Sequence, residues 1–412
     1  YFTRMESYSG RVNIDRGTLG ELSVSDLRNR NPSCQAWIEA AKQYGLPEND
    51  GFNSGSNYGV GPFQLTINHR WRESASVAFL HPIRSRKNLT IQTGVHVSKV
   101  HIHKQKVTGL EYLREGQAHT IFSDQEVILS AGALQSPQIL QLSGVGPKDL
   151  LKRYGIDVLV DAPGVGQNLQ DHFMVRTIVR LNKPQSLNDE VRNPFRLMSM
   201  GLEWLVKGSG PLTVGAGQVG GGACSEFAKE NRADVQFTVM PFSADKAGDP
   251  LHRYSGFTAA VYQCRPESRG VLGIKSIDPY SDPRIVPNYL CEELDQKTLV
   301  SGVKMLREIY QQPAFKSLFD KEMLPGPSAS NDDDILNFAR NSGGTVFHPS
   351  GTCRMGSDEI SVVDPDLNVR GIGRLRIVDA SIIPKMPSGN INASVMMIAE
   401  KAAEIILSNS AK

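Results

Sequence analysis

The fold is decided by residues 126–146, which read EVILSAGALQSPQILQLSGVG. Val127–Leu129 is a short apolar run typical of a buried strand, and residues 131–133 form a turn of small side chains. A helix is predicted over residues 136–142, because Ser-Pro is a common way to begin one. Strand, tight turn and helix make up one half of a nucleotide-binding α/β unit.

Toward the C-terminus, the predicted structure changes from α/β to an antiparallel sheet and then returns to α/β. Short antiparallel strands are predicted within residues 88–113 from their alternating apolar pattern. Past residue 172 a series of strand-like runs with helical and loop spacers predicts an antiparallel sheet. These runs are residues 174–181, 234–240, 257–266 and 270–276. The tail returns to α/β character, with a strand at residues 375–379 and a helix at residues 394–407.

The predicted fold class is therefore α/β plus α+β. We assign residues 75–172 and 340–412 to an incomplete Rossmann-like domain, because both contain strand and helix patterns. Residues 173–339 form a substrate domain built on the antiparallel sheet, and residues 1–74 form a connecting or cap segment. With 412 residues the chain is too long for one ordinary core, which agrees with two domains.

Bulk properties exclude several functions. The net charge of +2 gives no reason to expect a nucleic-acid partner, and no apolar run approaches the ~20 residues of a membrane span. The five cysteines are scattered without metal-ligand spacing, so we expect no metal and reduced thiols. Reduced thiols favour a cytoplasmic location, with peripheral membrane contact left open.

The opening sequence, YFTRMESYSG, has neither an initiating Met nor a signal-peptide pattern. It reads like the interior of a longer protein. We therefore expect an N-terminal segment that is missing here or that a partner chain supplies.

One stretch, residues 215–220, matches the G-x-G-x-x-G pattern of dinucleotide-binding turns. It follows GSGPLTV instead of a strand, runs into two more glycines and lacks the acidic residue that the motif requires further on. We interpret it as a flexible loop beside a substrate cavity.

The candidate chemistry lies near the C-terminus. His348 opens HPSGTCRMG in a turn before Pro349, and the loop SGNIN delivers Asn390 to the start of a helix. A histidine can remove a hydroxyl proton near neutral pH, while a second hydrogen-bonding group holds the oxygen. Oxidation of an alcohol also needs a hydride acceptor, and since no side chain can act as one, a cofactor is implied. A lone histidine is more often structural, so the pair carries the argument.

Several stretches resemble the glucose–methanol–choline (GMC) oxidoreductases, in the family's order and along the whole chain. They are GALQSPQILQLSGVG, VDAPGVGQNLQDH, HPSGTCRMG and SGNINASVMMIAEKAA. The choline and aliphatic-alcohol dehydrogenase branch is the most similar. The resemblance implies FAD on a Rossmann-like domain, with the antiparallel-sheet domain over the flavin ring. The family's own G-x-G-x-x-G, its ribose-binding acid and its flavin loop precede the part that matches here.

The resemblance also implies roles for particular residues. His348 would be the catalytic base and Asn390 its partner, a position that holds His or Asn in the family. A further set would contact FAD at its adenine end, its pyrophosphate and ribityl portion and its flavin ring: Val97, Asp379, Ala380, Asn390, Ile391 and Asn392.

The main hypothesis is FAD-dependent oxidation of a small primary alcohol to an aldehyde, with hydride transfer to flavin N5 and reoxidation by O2 or a quinone. Two alternatives stay open. One is a hydroxynitrile lyase on the same fold, and the other is a non-catalytic truncated chain that binds no FAD. Outside the pair, we interpret His101 and His103 as solvated surface and Cys353 as a buried thiol. Phe347 could line a substrate cavity or pack in a core.

Overall fold

The computed structural model describes residues 1–11, 14–246 and 248–410. The chain divides into two compact units, each built from three stretches of sequence. Unit 1 comprises Tyr1–Ser85, Phe173–Cys264 and Glu292–Thr345, and unit 2 comprises Arg86–His172, Arg265–Cys291 and Val346–Lys412.

Strands and helices are numbered in chain order over the described residues. The strands are β1 (Glu6–Tyr8), β2 (Leu22–Val24), β3 (Gly59–Pro62), β4 (Ile67–Asn68), β5 (Trp71–Arg72), β6 (His96–His103), β7 (Lys106–Arg114), β8 (Gln117–Phe122), β9 (Val127–Leu129), β10 (Val145–Gly146), β11 (Val160–Asp161), β12 (Phe173–Leu181), β13 (Val219–Ala223), β14 (Val235–Met240), β15 (Gly256–Gln263), β16 (Val271–Gly273), β17 (Arg284–Val286), β18 (Phe319–Leu324), β19 (Gly344–Thr345) and β20 (Leu375–Ile377).

The α-helices are α1 (Phe2–Met5), α2 (Pro32–Tyr44), α3 (Gly132–Leu142), α4 (Lys148–Arg153), α5 (Leu187–Arg192), α6 (Pro194–Lys207), α7 (Glu293–Tyr310), α8 (Pro313–Lys316), α9 (Asp332–Ser342) and α10 (Asn392–Ser410). Short helical turns of other types lie at Ser76–Leu80, His81–Ile83, Pro211–Thr213 and Ala380–Ile382. No helix in the described ranges has both the length and the apolar character needed to cross a bilayer.

Unit 1 is built on a six-stranded antiparallel sheet in the order β13-β14-β15-β12-β18, with β19 beside β12. Along β14, buried and half-buried residues alternate, as expected for a strand with one face in a core. Aromatic rings fill that core: the Trp37 and Phe237 centroids lie 6.1 Å apart, and those of Phe257 and Phe315 lie 4.8 Å apart. The antiparallel sheet predicted from the sequence is confirmed.

Helix α2 shows why local sequence signals succeed in unit 1. The Asn31 side chain caps the helix by accepting from the Ser33 N–H at 2.9 Å, and Pro32 occupies the first turn. Gly45 ends the helix in the left-handed region at φ +113°, which glycine adopts without a steric penalty. The sequence of this region predicts a helical stretch over residues 34–44, and the helix that forms is two residues longer at its start.

Unit 2 contains the α/β half-unit that the sequence predicts. Strands β9 and β20 pair in parallel, Val127 opposite Leu375, and α3 follows β9. Strands β6, β7 and β8 form an antiparallel meander in the same unit. Helix α3 begins at Gly132, four residues before the Ser-Pro start that we predicted, and Pro137 lies inside it. Pro137 is the sixth residue of the helix and lies past the first turn, where proline is best tolerated, so Ser-Pro does not mark the start of this helix.

The units depart from the predicted domain boundaries in two places. Residues 1–74 belong to unit 1, where the Ala314 N–H on α8 donates to Gln43 Oε1 on α2 at 2.9 Å. Residues 265–291 belong to unit 2, where Leu169 and Gly270 exchange backbone hydrogen bonds. Long-range contacts of this kind leave no local periodicity in the sequence. The cofactor and substrate roles of the two units stay predictions.

The glycine run at residues 215–222 is only partly the flexible loop that we predicted. Its second half forms β13, every residue of which is buried. A Cβ on Gly221 would stand 1.9 Å from the Gly59 carbonyl oxygen, so the glycines allow two backbones to approach closely. A strand, and no helix, follows the motif, so the stretch lacks the context of a dinucleotide-binding turn.

Candidate active site

His348 lies in an extended segment of unit 2 that pairs with residues 170–172. The Gln170 N–H donates to the Ser350 carbonyl at 3.0 Å, and the Ser350 N–H donates back at 2.9 Å. Continued antiparallel pairing would place His348 opposite His172. The His172 carbonyl instead accepts from the Val346 N–H at 3.0 Å, which shows a local irregularity at this point.

Phe347 causes this irregularity. Its φ of +63° is uncommon for a non-glycine residue, and its side chain is 79% exposed. The turn directs the His348 N–H away from the pairing and onto the Asp171 carboxylate, which accepts at 2.9 Å. Strained backbone of this kind is frequent at functional sites. The exposed ring of Phe347 does not pack in a core. The alternative, that Phe347 lines a substrate cavity, stays a prediction.

Asn390 reaches His348 from the loop between the turn Ala380–Ile382 and α10. The Asn390 Nδ2 atom lies 3.2 Å from His348 Nε2. Gln170 holds that loop from both ends of its side chain: its amide donates to the Pro384 carbonyl at 3.2 Å and accepts from the Met386 N–H at 3.1 Å. The pair chosen from the sequence is thus brought together, although the two residues are 42 positions apart.

The electrostatics of His348 suit a base. The side chain is buried, and burial lowers its pKa below the ordinary value of 6.5, while the negative charge of Asp171 acts in the opposite direction. The imidazole is therefore neutral at physiological pH and can accept a proton. The nearby Cys353 thiol is also buried, which raises its pKa, so the prediction of an unreactive thiol is in keeping with the structure.

Sequence reasoning missed the polar groups behind His348. His172 is completely buried, and its Nδ1 atom lies 2.9 Å from His348 Nδ1. Asp171 accepts from the Tyr289 hydroxyl in addition to the His348 N–H. Gln170, Asp171 and His172 end the stretch VDAPGVGQNLQDH, which we quoted only as part of the resemblance. A cluster of three polar residues at the end of an otherwise small-residue loop was the available signal.

Among the predicted cofactor residues, Asp379 has a defined structural task. Its carboxylate accepts from the Gly132 N–H at 2.9 Å, the Ser136 hydroxyl at 2.5 Å and the Ser381 N–H at 2.8 Å. These bonds tie the end of β20 to the start of α3. A buried carboxylate engaged in this way would also repel a pyrophosphate. The predicted contact of Asp379 with the pyrophosphate is therefore expected to involve its backbone and not its carboxylate.

The other predicted cofactor residues lie on three elements of unit 2. Ala380 and Ile391 are buried in one small apolar cluster with Ala133, and Asn392 is exposed at the first position of α10. Val97 lies half-buried on β6, next to a register shift in its pairing with β7. Of the predicted cofactor residues, Asn390 contacts His348. Val97 lies on a separate element, and no contact between its side chain and His348 is described.

The described part of the chain was predicted to hold no metal, and the arrangement of its possible ligands can be compared with that prediction. Over residues 1–11, 14–246 and 248–410 there is no cluster of three His, Cys, Asp or Glu side chains with metal-binding geometry. His103 is exposed and His101 is half-buried, with its Nε2 atom enclosed.

The fold and the site together define an α/β enzyme with a buried histidine as its candidate base. The N-terminal family model of the GMC oxidoreductases matches residues 1–174, and the C-terminal model of the same family matches residues 266–399. The chain therefore belongs to the GMC oxidoreductase family, and the fold and enzyme class predicted from the sequence are confirmed.

Characterised relatives agree with this assignment. The chain is 39% identical over 397 residues to an alcohol dehydrogenase [acceptor] of Pseudomonas putida, covering 95% of this chain and 71% of that protein. It is 39% identical to the mitochondrial choline dehydrogenase of Homo sapiens, covering 98% of this chain and 68% of that protein. An oxygen-dependent choline dehydrogenase of Staphylococcus saprophyticus is 37% identical, with 98% and 73% covered.

Solved structures share the fold. Pyridoxine 4-oxidase from Mesorbium loti superposes with a TM-score of 0.85 at 29% identity, covering 98% of this chain and 75% of that chain. Formate oxidase of Aspergillus oryzae superposes with a TM-score of 0.91 at 26% identity, covering 99% of this chain and 77% of that chain.

Proposed function

We propose that this GMC oxidoreductase oxidises a primary alcohol to an aldehyde with FAD as the hydride acceptor and His348 as the base. The observation that carries the proposal is the contact between His348 Nε2 and Asn390 Nδ2 at 3.2 Å. An amide nitrogen can only donate a hydrogen bond, so Nε2 must be the unprotonated nitrogen of the ring. The site therefore pairs one acceptor with one donor, and a hydroxyl group that enters between them can bond to both.

The residues present fit a flavin cofactor. Helix α10 begins two residues after Asn390, is 19 residues long and has no acidic side chain in its first turn. The positive end of its dipole favours the negative charge of a reduced flavin. On β6, His101 Nε2 is a buried polar atom that has no hydrogen-bond partner within the described residues, so unit 2 retains a group for a bound molecule to satisfy.

Relatives named as alcohol and choline dehydrogenases support the substrate class. An alcohol bound at this pair replaces the contact between the two side chains, so that its hydroxyl donates to His348 Nε2 and its oxygen accepts from Asn390 Nδ2. His348 takes the hydroxyl proton as the C–H bond breaks, and Asn390 stabilises the negative charge that develops on the oxygen. When bound, FAD supplies the hydride acceptor at its N5 atom. Asp171 then lies close enough to stabilise the protonated imidazole.

The proposal is tested by anaerobic mixing of the FAD-loaded enzyme with primary alcohols and with choline, following loss of flavin absorbance and formation of aldehyde. We expect His348→Ala to slow flavin reduction by about 10²- to 10⁴-fold, the range that general base catalysis contributes. The matched control is His103→Ala, which removes an exposed histidine of the same unit.

Two outcomes would contradict the proposal. Flavin reduction at the wild-type rate in His348→Ala would show that this histidine is not the base. Release of aldehyde and cyanide from a cyanohydrin without any loss of flavin absorbance would assign lyase chemistry instead. Repeating the wild-type assay with O2 and then with a quinone as the acceptor distinguishes oxidase from dehydrogenase.

A further inference from the structure

The contact between His172 and His348 limits where the ring hydrogens of the two histidines can lie. The two Nδ1 atoms are 2.9 Å apart, and the rings are nearly perpendicular, with an interplanar angle of 82° and centroids 5.2 Å apart. At that distance one nitrogen must carry the hydrogen and the other must accept it. The contact therefore has a direction, and the direction determines which nitrogen of His348 is basic.

Asn390 decides that direction. Because its Nδ2 atom donates to His348 Nε2, the single hydrogen of the neutral His348 ring resides on Nδ1. His348 Nδ1–H then donates to His172 Nδ1, which must be the unprotonated nitrogen of its own ring. In the opposite arrangement His348 would carry its hydrogen on Nε2, facing the Asn390 donor, and would have no lone pair for a substrate.

We propose that His172 is a positioning residue that holds His348 in the tautomer whose Nε2 atom carries no hydrogen and can accept a proton. The inference rests on the proposed function for its consequence in catalysis, but the tautomer itself is a property of the protein. His172 contacts neither substrate nor cofactor in this role and acts only through His348.

The surroundings make His172 a rigid acceptor. Its side chain is completely buried, and its carbonyl accepts from the Val346 N–H at 3.0 Å, so the backbone on both sides of the contact is fixed. Asp171 fixes the other residue by accepting from the His348 N–H. A partner that orients the second nitrogen of a functional imidazole in this way sets its tautomer and its basicity.

The arrangement continues to serve after proton uptake. A protonated His348 carries hydrogens on both nitrogens, and its Nδ1–H still donates to His172. Among the described contacts of His348, the titratable partners are Asp171 and His172, and Asn390 is neutral. The acceptor at His172 and the charge at Asp171 therefore both stabilise the protonated form of the base.

The direct test is nitrogen NMR of the FAD-loaded enzyme with labelled histidine, at a pH where His348 is neutral. The chain has nine histidines, so the His348 signals are assigned by their loss in His348→Asn. We expect Nδ1 of His348 to show the shift of a protonated nitrogen and Nε2 that of an unprotonated one. The reverse pattern would overturn the inference.

A matched pair of variants tests the consequence for catalysis. His172→Asn can place a carbonyl oxygen near the position of Nδ1, whereas His172→Leu branches in the same way without an acceptor. We expect His172→Leu to lose roughly 10- to 100-fold in flavin-reduction rate, as when an orienting partner is removed, and His172→Asn to retain most of the rate. The acid limb of the pH profile should move to lower pH in His172→Leu only, because its protonated His348 lacks an acceptor.

A merely structural role for His172 predicts something different. It would lower flavin content and melting temperature in both variants and leave the acid limb in place, and that result would overturn the inference. Wild-type kinetics in His172→Leu would do the same. If no primary alcohol reduces the wild-type flavin, the proposed function fails on its own, and the NMR experiment still decides the tautomer.

Discussion

At the scale of single residues, His348 is governed by two opposing effects. Burial disfavours its charged form, while the carboxylate of Asp171 favours it. Burial is the larger of the two, so the pKa falls and the ring stays neutral over the physiological range. A buried histidine without the nearby charge would be a weaker base, which explains why an acidic residue lies behind a group that has to accept a proton.

This balance predicts a pH dependence. The value of kcat/KM should rise with pH as His348 loses its proton, with the midpoint below the ordinary histidine pKa of 6.5. Asp171→Asn keeps an acceptor for the His348 N–H but removes the charge that raises this pKa, so the midpoint should move to still lower pH. The measurement is kcat/KM against pH for both proteins. A midpoint that moved upward in Asp171→Asn would contradict this account.

Asn390 carries the second residue-scale prediction. Asn390→Ala removes the N–H donor that stabilises a developing alkoxide, and kcat/KM should fall by about 10²- to 10³-fold. Asn390→His keeps an N–H donor at the position and serves as the comparison, with a smaller loss expected. Equal losses of kcat/KM in the two variants, measured at equal flavin content, would show that the N–H donor does not stabilise the transition state.

At the scale of elements, the site is assembled by hydrogen bonds between loops. The HPSGTC segment runs beside the turn Ala380–Ile382, with the Gly351 N–H donating to the Ala380 carbonyl at 3.1 Å and the Cys353 N–H to the Ser381 carbonyl at 2.8 Å. Gln170 adds two side-chain bonds to the loop that carries Asn390. These hydrogen bonds fix the loops that carry His348 and Asn390 relative to one another.

In unit 1 the approach of β3 and β13 yields a stability prediction. Gly221→Ala would place a methyl group against the Gly59 carbonyl and should destabilise the protein by about 1–3 kcal/mol, as overpacking does. Gly201→Ala is the matched control, because it lies within α6 with open space around its Cβ and should stabilise by about 0.5–1 kcal/mol. Urea unfolding of both variants is the measurement, and equal effects would contradict the close approach.

At the scale of the whole molecule, the proposed catalytic and cofactor residues all lie in one of the two units. Unit 2 contains His348, Asn390 and the residues that we propose for FAD, while unit 1 contains the antiparallel sheet. A group that binds only the folded protein stabilises it by mass action, so removal of FAD should lower the melting temperature.

Hydrogen exchange locates that effect. The peptide covering residues 379–395 should lose protection when FAD is removed, because it carries the proposed cofactor residues from Asp379 to Asn392. The peptide covering residues 126–146 should lose protection with it, because Asp379 accepts hydrogen bonds from the start of α3. Strands β14 and β15 serve as the internal control in unit 1. Restoring FAD should restore the melting temperature, at about 2.7 kcal/mol of stabilisation when FAD is present at 100 times its Kd. Unchanged exchange in both peptides would place the cofactor elsewhere.

The sequence by itself determined the strand β9, the helix α2, the antiparallel sheet and the pair His348 and Asn390. Each of these depends on a signal that is local in the chain: an apolar period, a cap, a turn residue or a short motif. Residue type also excluded a hydride acceptor among the side chains, and thereby implied a cofactor.

Only the tertiary structure decided which polar groups contact His348 on the side away from Asn390. His172 and His348 are 176 positions apart, and their contact depends on pairing between distant segments and on the turn at Phe347. The same holds for the burial of the glycines in β13 and for the engagement of Asp379 by the start of α3. The protonation state and tautomer of His348 are set by neighbours in space, and the spacing of residues along the chain does not predict which residues these are.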